Sequence, residues 1–238
     1  MPDRIFARSL DGVDLNATTQ TVSPARPRDA AKRILPQRPL RAAIVIAAFT
    51  AVLYLVEFVD LVALHGSLNN DGIRPRTLSG LGGVLWSPFL HENWGHLAAN
   101  TVPILVFGFL AMAGGMAQFV SVTVLVWLVS GLGVWATAGS GTVTIGASGI
   151  AFGWLAFLLV RAVFNRSFGQ IVVALVLLFY WGSILWGLVP GQPDISWQGH
   201  VFGAIGGVLA AFLATRATAR DRKQAKQSKP ELPGNVTV

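Results

Sequence analysis

Six apolar blocks, each about as long as a membrane-crossing helix, limit what this chain can fold into. The blocks occupy residues 42–64, 94–113, 117–138, 147–164, 168–189 and 198–215. A helix that crosses the hydrocarbon core of a bilayer needs about 20 predominantly apolar residues. The apolar residues form long runs rather than the helical or strand periods of a soluble domain. The sequence therefore predicts an all-α polytopic membrane protein, a bundle of six transmembrane helices over residues 42–216.

The composition of the chain agrees with a membrane protein and removes one kind of chemistry. Residues with hydrophobic side chains make up 53% of it and charged residues only 12%, whereas soluble globular chains have about 25% charged residues. The chain has no cysteine. Disulfides, thiol catalysis and thiolate metal sites are therefore excluded.

Basic residues indicate the orientation of the bundle. Eight of the 18 Lys and Arg residues precede the first block, Arg161 and Arg166 flank the loop after the fourth, and six lie at or after Arg216. With six spans, these residues all fall on one side, and only Arg74 and Arg76 fall on the other. Cytoplasmic loops are enriched in Lys and Arg. We therefore predict a multi-pass protein, of the plasma membrane, with both termini in the cytoplasm.

The two ends of the chain are polar. Residues 1–41 contain four Asp and several Pro but no apolar core of a signal peptide. They are predicted to form a mostly disordered cytoplasmic tail, and the four Asp argue against the alternative of a transit peptide. Residues 217–238 are predicted to be a basic cytoplasmic tail. We expect its basic residues to contact anionic membrane lipid and not to bind nucleic acid.

The connection between the first two blocks, residues 65–93, is long for a helical bundle, which indicates either a function or disorder. It also contains large apolar residues, among them Trp86, Phe89 and Leu90. We therefore predict that this loop packs into the membrane interface.

Two polar residues, Ser148 and His200, lie at similar depth in the predicted bundle. Ser148 precedes Arg161 by 13 residues and His200 precedes Arg216 by 16. At a rise of 1.5 Å per residue, they lie about 20 and 24 Å above the cytoplasmic end of their helices. Residues 141–147 then enter the membrane region as irregular backbone, which is tolerated where protein covers it or where it lines a water-filled cavity. The sequence predicts such a cavity.

Glycine stripes on the same two helices predict that they touch. The glycines that repeat every four positions are Gly149 and Gly153 in the fourth block and Gly199, Gly203 and Gly207 in the sixth. Small residues at this spacing let helix backbones approach closely in lipid. If the stripes face each other, Ser148 and His200 meet near the top of the contact. The alternative is that both residues only pack, with His200 bonded to a backbone carbonyl.

The stretch HENWGHLAAN, residues 91–100, adds further polar groups. His96 and Asn100 are four residues apart, so they share one face of a helix. Asn100 lies well inside the second block, where a polar group is expensive unless it is paired or functional. Such a pair can donate hydrogen bonds to an oxyanion, or bind a metal. Asn is a poor ligand, and no carboxylate or cysteine accompanies His91 and His96 at a metal-site spacing. We therefore predict no metal and no cofactor.

These motifs together resemble those of the rhomboid intramembrane serine proteases. HENWGHLAAN is similar to the HxxxxHxxxN pattern of that family, GASG at residues 146–149 to its GxSG, and GHVFGAIGG at 199–207 to its histidine followed by a glycine stripe. The motifs occur in the order of the family and on the expected spans. The resemblance covers about residues 42–215.

The resemblance implies a role for each matching residue. Ser148 is the expected nucleophile and His200 its general base. Asn100 and His96, with the backbone N–H of Ser148, are the expected oxyanion hole, and His91 is expected to be structural. The implied reaction is hydrolysis of peptide bonds in or next to transmembrane segments of other membrane proteins.

The chain departs from the family at two places. Some members have a tyrosine four residues after the serine, stacked on the histidine, where this chain has Phe152. Some members also carry a Trp-Arg pair in the first long loop, whereas Trp86 here has no Arg beside it. The first departure keeps the ring and loses a hydroxyl, and the second bears on the shape of the loop.

Two other functions fit parts of the sequence. One is a non-catalytic rhomboid-like protein that binds membrane clients, although inactive relatives typically lack the serine or the histidine. The other is a small transporter with a broken fourth helix, although no inverted repeat is visible.

Overall fold

The computed structural model of the chain describes residues 31–192 and 194–227. The predictions for residues 1–30 and 228–238 fall outside this part. Seven α-helices occur in it: α1 (Pro39–Ala63), α2 (Leu78–Trp86), α3 (Trp94–Ala111), α4 (Met116–Thr137), α5 (Ser148–Asn165), α6 (Phe168–Trp181) and α7 (Trp197–Gln227). Short 3-10 helices lie at Ser67–Asp71, Ser87–Phe89, Met112–Gly114 and Gly182–Leu188.

Every α-helix except α2 corresponds to one of the predicted spans. With the 3-10 turns Met112–Gly114 and Gly182–Leu188 added to α3 and α6, all six are long and apolar enough to cross a membrane. Strand pairing in the described residues is limited to a single antiparallel bridge between Ile73 and Thr144. The prediction of an all-α bundle with six spans is confirmed, and the protein is an integral, multi-pass membrane protein.

Helix α5 is the most buried span, and it contacts α3, α4, α6 and α7. The contact with α7 depends on glycine. A Cβ atom added at Gly203 would collide with the carbonyl of Gly149, and one added at Gly207 with the carbonyl of Gly153. The two predicted stripes therefore do face each other, and this close approach fixes the register of α5 against α7.

The start of α3 is set by its N-cap. The side chain of Asn93 accepts a hydrogen bond of 3.0 Å from the backbone N–H of His96, which satisfies one of the free N–H groups at the helix start. Because the helix begins at Trp94, His96 and Asn100 lie in its first two turns. Pro103 is inside the same helix, beyond both residues.

The long loop, residues 65–93, packs against the bundle. It contains the 3-10 helix Ser67–Asp71 and helix α2. The beginning of the loop is held by Asp60, at the end of α1. The carboxylate of Asp60 accepts a hydrogen bond of 3.0 Å from the backbone N–H of Leu68. At the other end Leu90 is buried. The alternative of a disordered loop is therefore wrong.

The predicted disorder of residues 1–41 is wrong for residues 31–41. Helix α1 already begins at Pro39, and the segment before it, residues 31–37, is held by side chains of the bundle. The backbone carbonyls of Ala31 and Arg33 accept hydrogen bonds of 2.7–3.0 Å. The donors are Arg161 and Asn165 of α5 and Gln170 of α6. This segment, called the juxtamembrane segment below, is thus ordered by contacts that composition does not reveal.

Helix α7 is longer than its apolar block. The block ends at residue 215, but the helix continues to Gln227. Residues 216–227 are mainly Ala, Arg, Lys and Gln, which are strong helix formers. The first half of the predicted basic tail is therefore helical.

Candidate active site

Ser148 is the first residue of α5, and the backbone that precedes it is irregular. Two contacts cover this backbone: Thr144 pairs with Ile73 of the long loop, and the N–H of Gly146 donates a hydrogen bond of 2.8 Å to the carbonyl of Ser87. Gly146 has a backbone φ of 113°, a conformation that residues with a side chain rarely adopt. This irregular backbone is thus held by contacts with the long loop, and it also lines a cavity, one of the settings in which a membrane region tolerates such backbone.

The hydroxyl of Ser148 and the imidazole of His200 are in hydrogen-bond contact. Oγ of Ser148 lies 2.8 Å from Nε2 of His200. The other ring nitrogen, Nδ1, lies 2.9 Å from the backbone carbonyl of Gly187. A carbonyl only accepts, so Nδ1 carries the proton and Nε2 is left as the acceptor for the Ser148 hydroxyl. This is the tautomer that a general base requires.

Phe152 packs on the histidine. Its ring is stacked on that of His200, with centroids 4.0 Å apart and an interplanar angle of 9°. Phe152 follows Ser148 by four residues and therefore lies one turn further along the same face of α5. The stacked ring restrains the imidazole in the plane that points Nε2 at the serine.

His96 and Asn100 lie beside the glycine that precedes the serine. A Cβ atom added at Gly146 would be 2.8 Å from Nε2 of His96 and 4.0 Å from Nδ2 of Asn100. The Asn100 amide donates one hydrogen bond of 3.1 Å to the backbone carbonyl of His96. An amide group has two N–H donors, so one remains for a ligand. The structure thus brings these two side chains to the vicinity of Ser148.

A cavity of about 680 Å³ joins these groups, within the range of small-molecule and cofactor sites. Its walls include all four predicted site residues: Ser148, His200, His96 and Asn100. Phe152 also lines it. The hydroxyl, the imidazole and the Asn100 amide are therefore accessible from one cavity.

His91 is buried beneath the site, with 1% of its surface exposed. Its ring packs edge-on against that of His96, with centroids 5.1 Å apart. Neither ring nitrogen has a hydrogen-bond partner among the residues that the structure describes. Burial lowers the pKa of His91 to about 4, and the nearby His96 acts in the same direction. The backbone of Phe89 acts in the opposite direction and raises the pKa by part of this shift, although it makes no hydrogen bond of normal geometry with the ring.

Two residues that support the histidine were not identified from the sequence. Gly187 supplies the carbonyl that fixes the tautomer of His200. Ser130 of α4 is buried and donates a hydrogen bond of 2.8 Å to the carbonyl of Gly199, the residue before the histidine. A backbone carbonyl leaves no mark in a sequence. A serine inside an apolar block, in contrast, is visible in the sequence, and Ser130 is such a residue.

Arg76 connects the long loop to the segment before Ser148. Its guanidinium donates hydrogen bonds of 2.7 Å to the carbonyl of Ala138 and to the hydroxyl of Ser140. A third, of 3.2 Å, goes to the carbonyl of Ala136. The loop is therefore anchored by Arg76 without the Trp-Arg pair.

The alternative function of His91 and His96, near the start of α3, is metal binding. Within residues 31–192 and 194–227, the structure contains no group of three or more His, Asp or Glu side chains placed to hold a metal ion.

Fold and site together define a polytopic membrane protein with a serine–histidine pair between the starts of α5 and α7. The family model for the Rhomboid domain matches residues 80–217, more than half of the chain. The chain belongs to the rhomboid family. This match includes Ser148, His200, His96 and Asn100.

Individual relatives agree with this membership. The chain is 48% identical over 200 residues to an uncharacterized protein of Mycobacterium tuberculosis, a match that covers 79% of this chain and 82% of the relative. It is 43% identical over 199 residues to an uncharacterized protein of Mycobacterium leprae, covering 79% and 78%. It is 29% identical over 181 residues to "Putative rhomboid protease YdcA" of Bacillus subtilis, covering 74% and 89%.

Proposed function

We propose that the protein is an intramembrane serine endopeptidase that hydrolyses peptide bonds in or next to transmembrane segments of other membrane proteins. The observation that carries the proposal is the 2.8 Å contact between Oγ of Ser148 and Nε2 of His200. Serine is a poor nucleophile until a neighbouring base removes its proton. Membership in the rhomboid family and the name of the Bacillus subtilis relative support the same reaction class.

The first half of the reaction is acylation. Nε2 of His200 takes the hydroxyl proton as Oγ of Ser148 attacks the substrate carbonyl carbon and forms a tetrahedral intermediate. The imidazolium is stabilised by its Nδ1–H hydrogen bond to the Gly187 carbonyl. It then gives its proton to the amide nitrogen as the C–N bond breaks. The amine product leaves, and the acyl group remains as an ester on Ser148.

The second half is hydrolysis of this ester. A water molecule in the cavity gives a proton to Nε2 of His200 as its oxygen attacks the acyl carbon. The bond to Oγ breaks, and the proton returns to the serine. The acyl product is released as a carboxylic acid, and the hydroxyl and imidazole regain their starting protonation.

The negative charge on the substrate oxygen requires hydrogen-bond donors. The free N–H of the Asn100 amide, the ring of His96 and the backbone N–H of Ser148 are the proposed donors. The backbone N–H belongs to the first turn of α5, where no helical acceptor is available and the helix dipole favours negative charge. Donors in a site of low dielectric stabilise such an oxyanion far more than they do in water.

The proposed setting follows from charge and depth. Both termini are placed in the cytoplasm, which puts the cavity towards the outer side of the plasma membrane. Substrates are membrane proteins whose transmembrane helix unwinds locally, which small residues at the cleaved bond favour.

Reconstitution tests the proposal. Purified protein in lipid vesicles is mixed with a model single-span substrate, and the products are identified by mass spectrometry. The expected result is one cleavage within or next to the substrate span that is lost in Ser148→Ala. Binding of the substrate without cleavage, equal in Ser148→Ala and the wild type, would instead favour the non-catalytic client-binding function.

A further inference from the structure

A groove on the outside of the bundle lies apart from the candidate active site. Its volume is about 590 Å³, and its lining consists of apolar side chains. One face of α7 forms the long wall, from Val201 to Phe212, while Leu188 and Phe164 belong to the neighbouring spans. None of these residues lines the cavity of Ser148 and His200.

The dimensions of the groove suit a single lipid chain. Val201 and Phe212 are 11 residues apart, so the wall is about 16 Å long, close to half of the roughly 30 Å hydrocarbon core. A lipid acyl chain spans about half of that core, so the wall is as long as one chain.

One end of the groove is basic. The guanidinium of Arg216 lies over the ring of Phe212, 4.2 Å from its centroid. The ring of Phe164 lies 6.5 Å from that of Phe212, and Arg166 follows Phe164 by two residues. Both arginines are exposed. Neither has an acidic residue within four positions in the sequence, so no neighbour on its own helix neutralises it.

We propose that this groove is a binding site for an anionic phospholipid of the membrane. An acyl chain lies in the groove against α7, and the phosphate of the headgroup contacts Arg216, with Arg166 beside it. The apolar wall accepts any acyl chain, so the headgroup contact supplies the selectivity. Each arginine near an anionic lipid surface favours the anionic lipid about fivefold. The site does not depend on the catalytic proposal.

Native mass spectrometry of the purified full chain tests the site. The protein is titrated with phosphatidylglycerol and, separately, with phosphatidylcholine of the same acyl chains. We expect one retained lipid per chain, with phosphatidylglycerol held at least fivefold more tightly. Equal retention of the two lipids would overturn the proposed headgroup contact.

Two pairs of variants locate the binding. Arg216→Gln is expected to reduce the preference for phosphatidylglycerol about fivefold, whereas Arg220→Gln, the same charge change one turn further along α7, leaves it within twofold. Equal losses in both variants would mean a diffuse basic surface and no defined site.

The second pair fills the groove. Ala204→Trp is expected to abolish retention of either lipid, while Val124→Trp, on an exposed face of α4, has no effect. Val208→Trp provides a second obstruction if Ala204→Trp fails to fold, as judged by thermal unfolding. Retention that survives a folded groove-filling variant would refute the site. If the wild type binds no lipid but forms a dimer that a groove-filling variant disrupts, the lipid site is refuted and the groove is a contact between two copies.

Discussion

Phe152 lies flat against His200, with ring centroids 4.0 Å apart and planes inclined by 9°. The imidazole is therefore held at three places: by Phe152 on one face, by the Gly187 carbonyl at Nδ1 and by the Ser148 hydroxyl at Nε2. The structure contains no carboxylate bonded to this imidazole among the described residues. Packing and a backbone carbonyl supply the orientation that a triad obtains from an acidic side chain.

Because the ring of Phe152 is stacked on His200, we predict that Phe152 increases turnover by holding this imidazole in place. An aromatic contact is worth about 0.5–1.5 kcal/mol, so its loss is expected to lower kcat about 2- to 10-fold. Phe152→Leu retains apolar volume and loses the flat face, whereas Phe152→Tyr keeps the ring and is expected to be tolerated. Cleavage of a model substrate is measured for both, with the exposed Phe179→Ala as control. Wild-type turnover in a stable Phe152→Leu protein would make this ring ordinary core.

Asn100 is predicted to stabilise the oxyanion. Its amide has one N–H engaged with the His96 carbonyl and one left for substrate. Asn100→Ala is expected to slow cleavage about 10²–10³-fold, the usual loss for one oxyanion donor, or less if the other donors compensate. Asn70→Ala, an exposed asparagine of the long loop, is the control. Full activity in folded Asn100→Ala would leave this residue a packing role only.

The buried His91 predicts how stability changes with pH. Its pKa is lowered from 6.5 to about 4 in the folded protein, so the unfolded chain binds a proton first as the pH falls. Its contribution to stability is therefore complete above pH 6.5 and is lost as the pH falls towards 4. Between pH 7 and pH 5 the loss amounts to about 2 kcal/mol.

The variant His91→Phe isolates this contribution. It keeps a ring at a position whose nitrogens have no hydrogen-bond partner among the described residues, and it cannot titrate. Thermal unfolding at pH 7 and pH 5 is expected to show a smaller decrease for His91→Phe than for the wild type. The exposed His65→Asn serves as the control and should behave as the wild type. The same decrease in all three proteins would show that His91 is not the group responsible.

The sequence predicted the features that depend on local chemistry. Apolar length identified the spans, and four-residue glycine spacing indicated that the helices of Ser148 and His200 can approach closely. Spacing within α3 predicted that His96 and Asn100 share a face. In each case a short stretch of residues carries the information, because helical geometry converts sequence distance directly into spatial distance.

The sequence did not predict the features that depend on backbone atoms from distant segments. The carbonyl of Gly187 orients His200, and the carbonyls of Ala31 and Arg33 order the juxtamembrane segment. Every residue has a carbonyl, so no residue type marks these positions. Composition alone made residues 31–41 resemble a disordered tail, although their order comes from donors such as Gln170, more than 100 residues later in the chain.

Gln170 is predicted to be important for stability. It is 5% exposed and donates to the carbonyls of both Ala31 and Arg33, at 2.8 and 3.0 Å. Removal of a buried donor leaves its acceptors partly unsatisfied, at a cost of about 1–3 kcal/mol. Gln170→Ala is therefore expected to lower the unfolding temperature clearly more than Gln192→Ala, which removes an exposed hydrogen bond to the carbonyl of Trp186. Equal effects would mean that the juxtamembrane segment adds little to the fold.

The Ser148–His200 pair makes the most direct prediction. A serine-directed fluorophosphonate is expected to label the purified protein covalently at Ser148, because the 2.8 Å contact with Nε2 allows the hydroxyl to lose its proton as it attacks phosphorus. Labelling should vanish in Ser148→Ala and fall steeply in His200→Ala. Ser130→Ala, which removes a buried serine hydroxyl outside the dyad, should still be labelled. Mass spectrometry locates the adduct, and thermal unfolding checks that each variant is folded. An adduct that persisted in Ser148→Ala, or cleavage of a transmembrane substrate by that variant, would refute the serine mechanism, whereas absence of labelling in the folded wild type would favour the client-binding alternative.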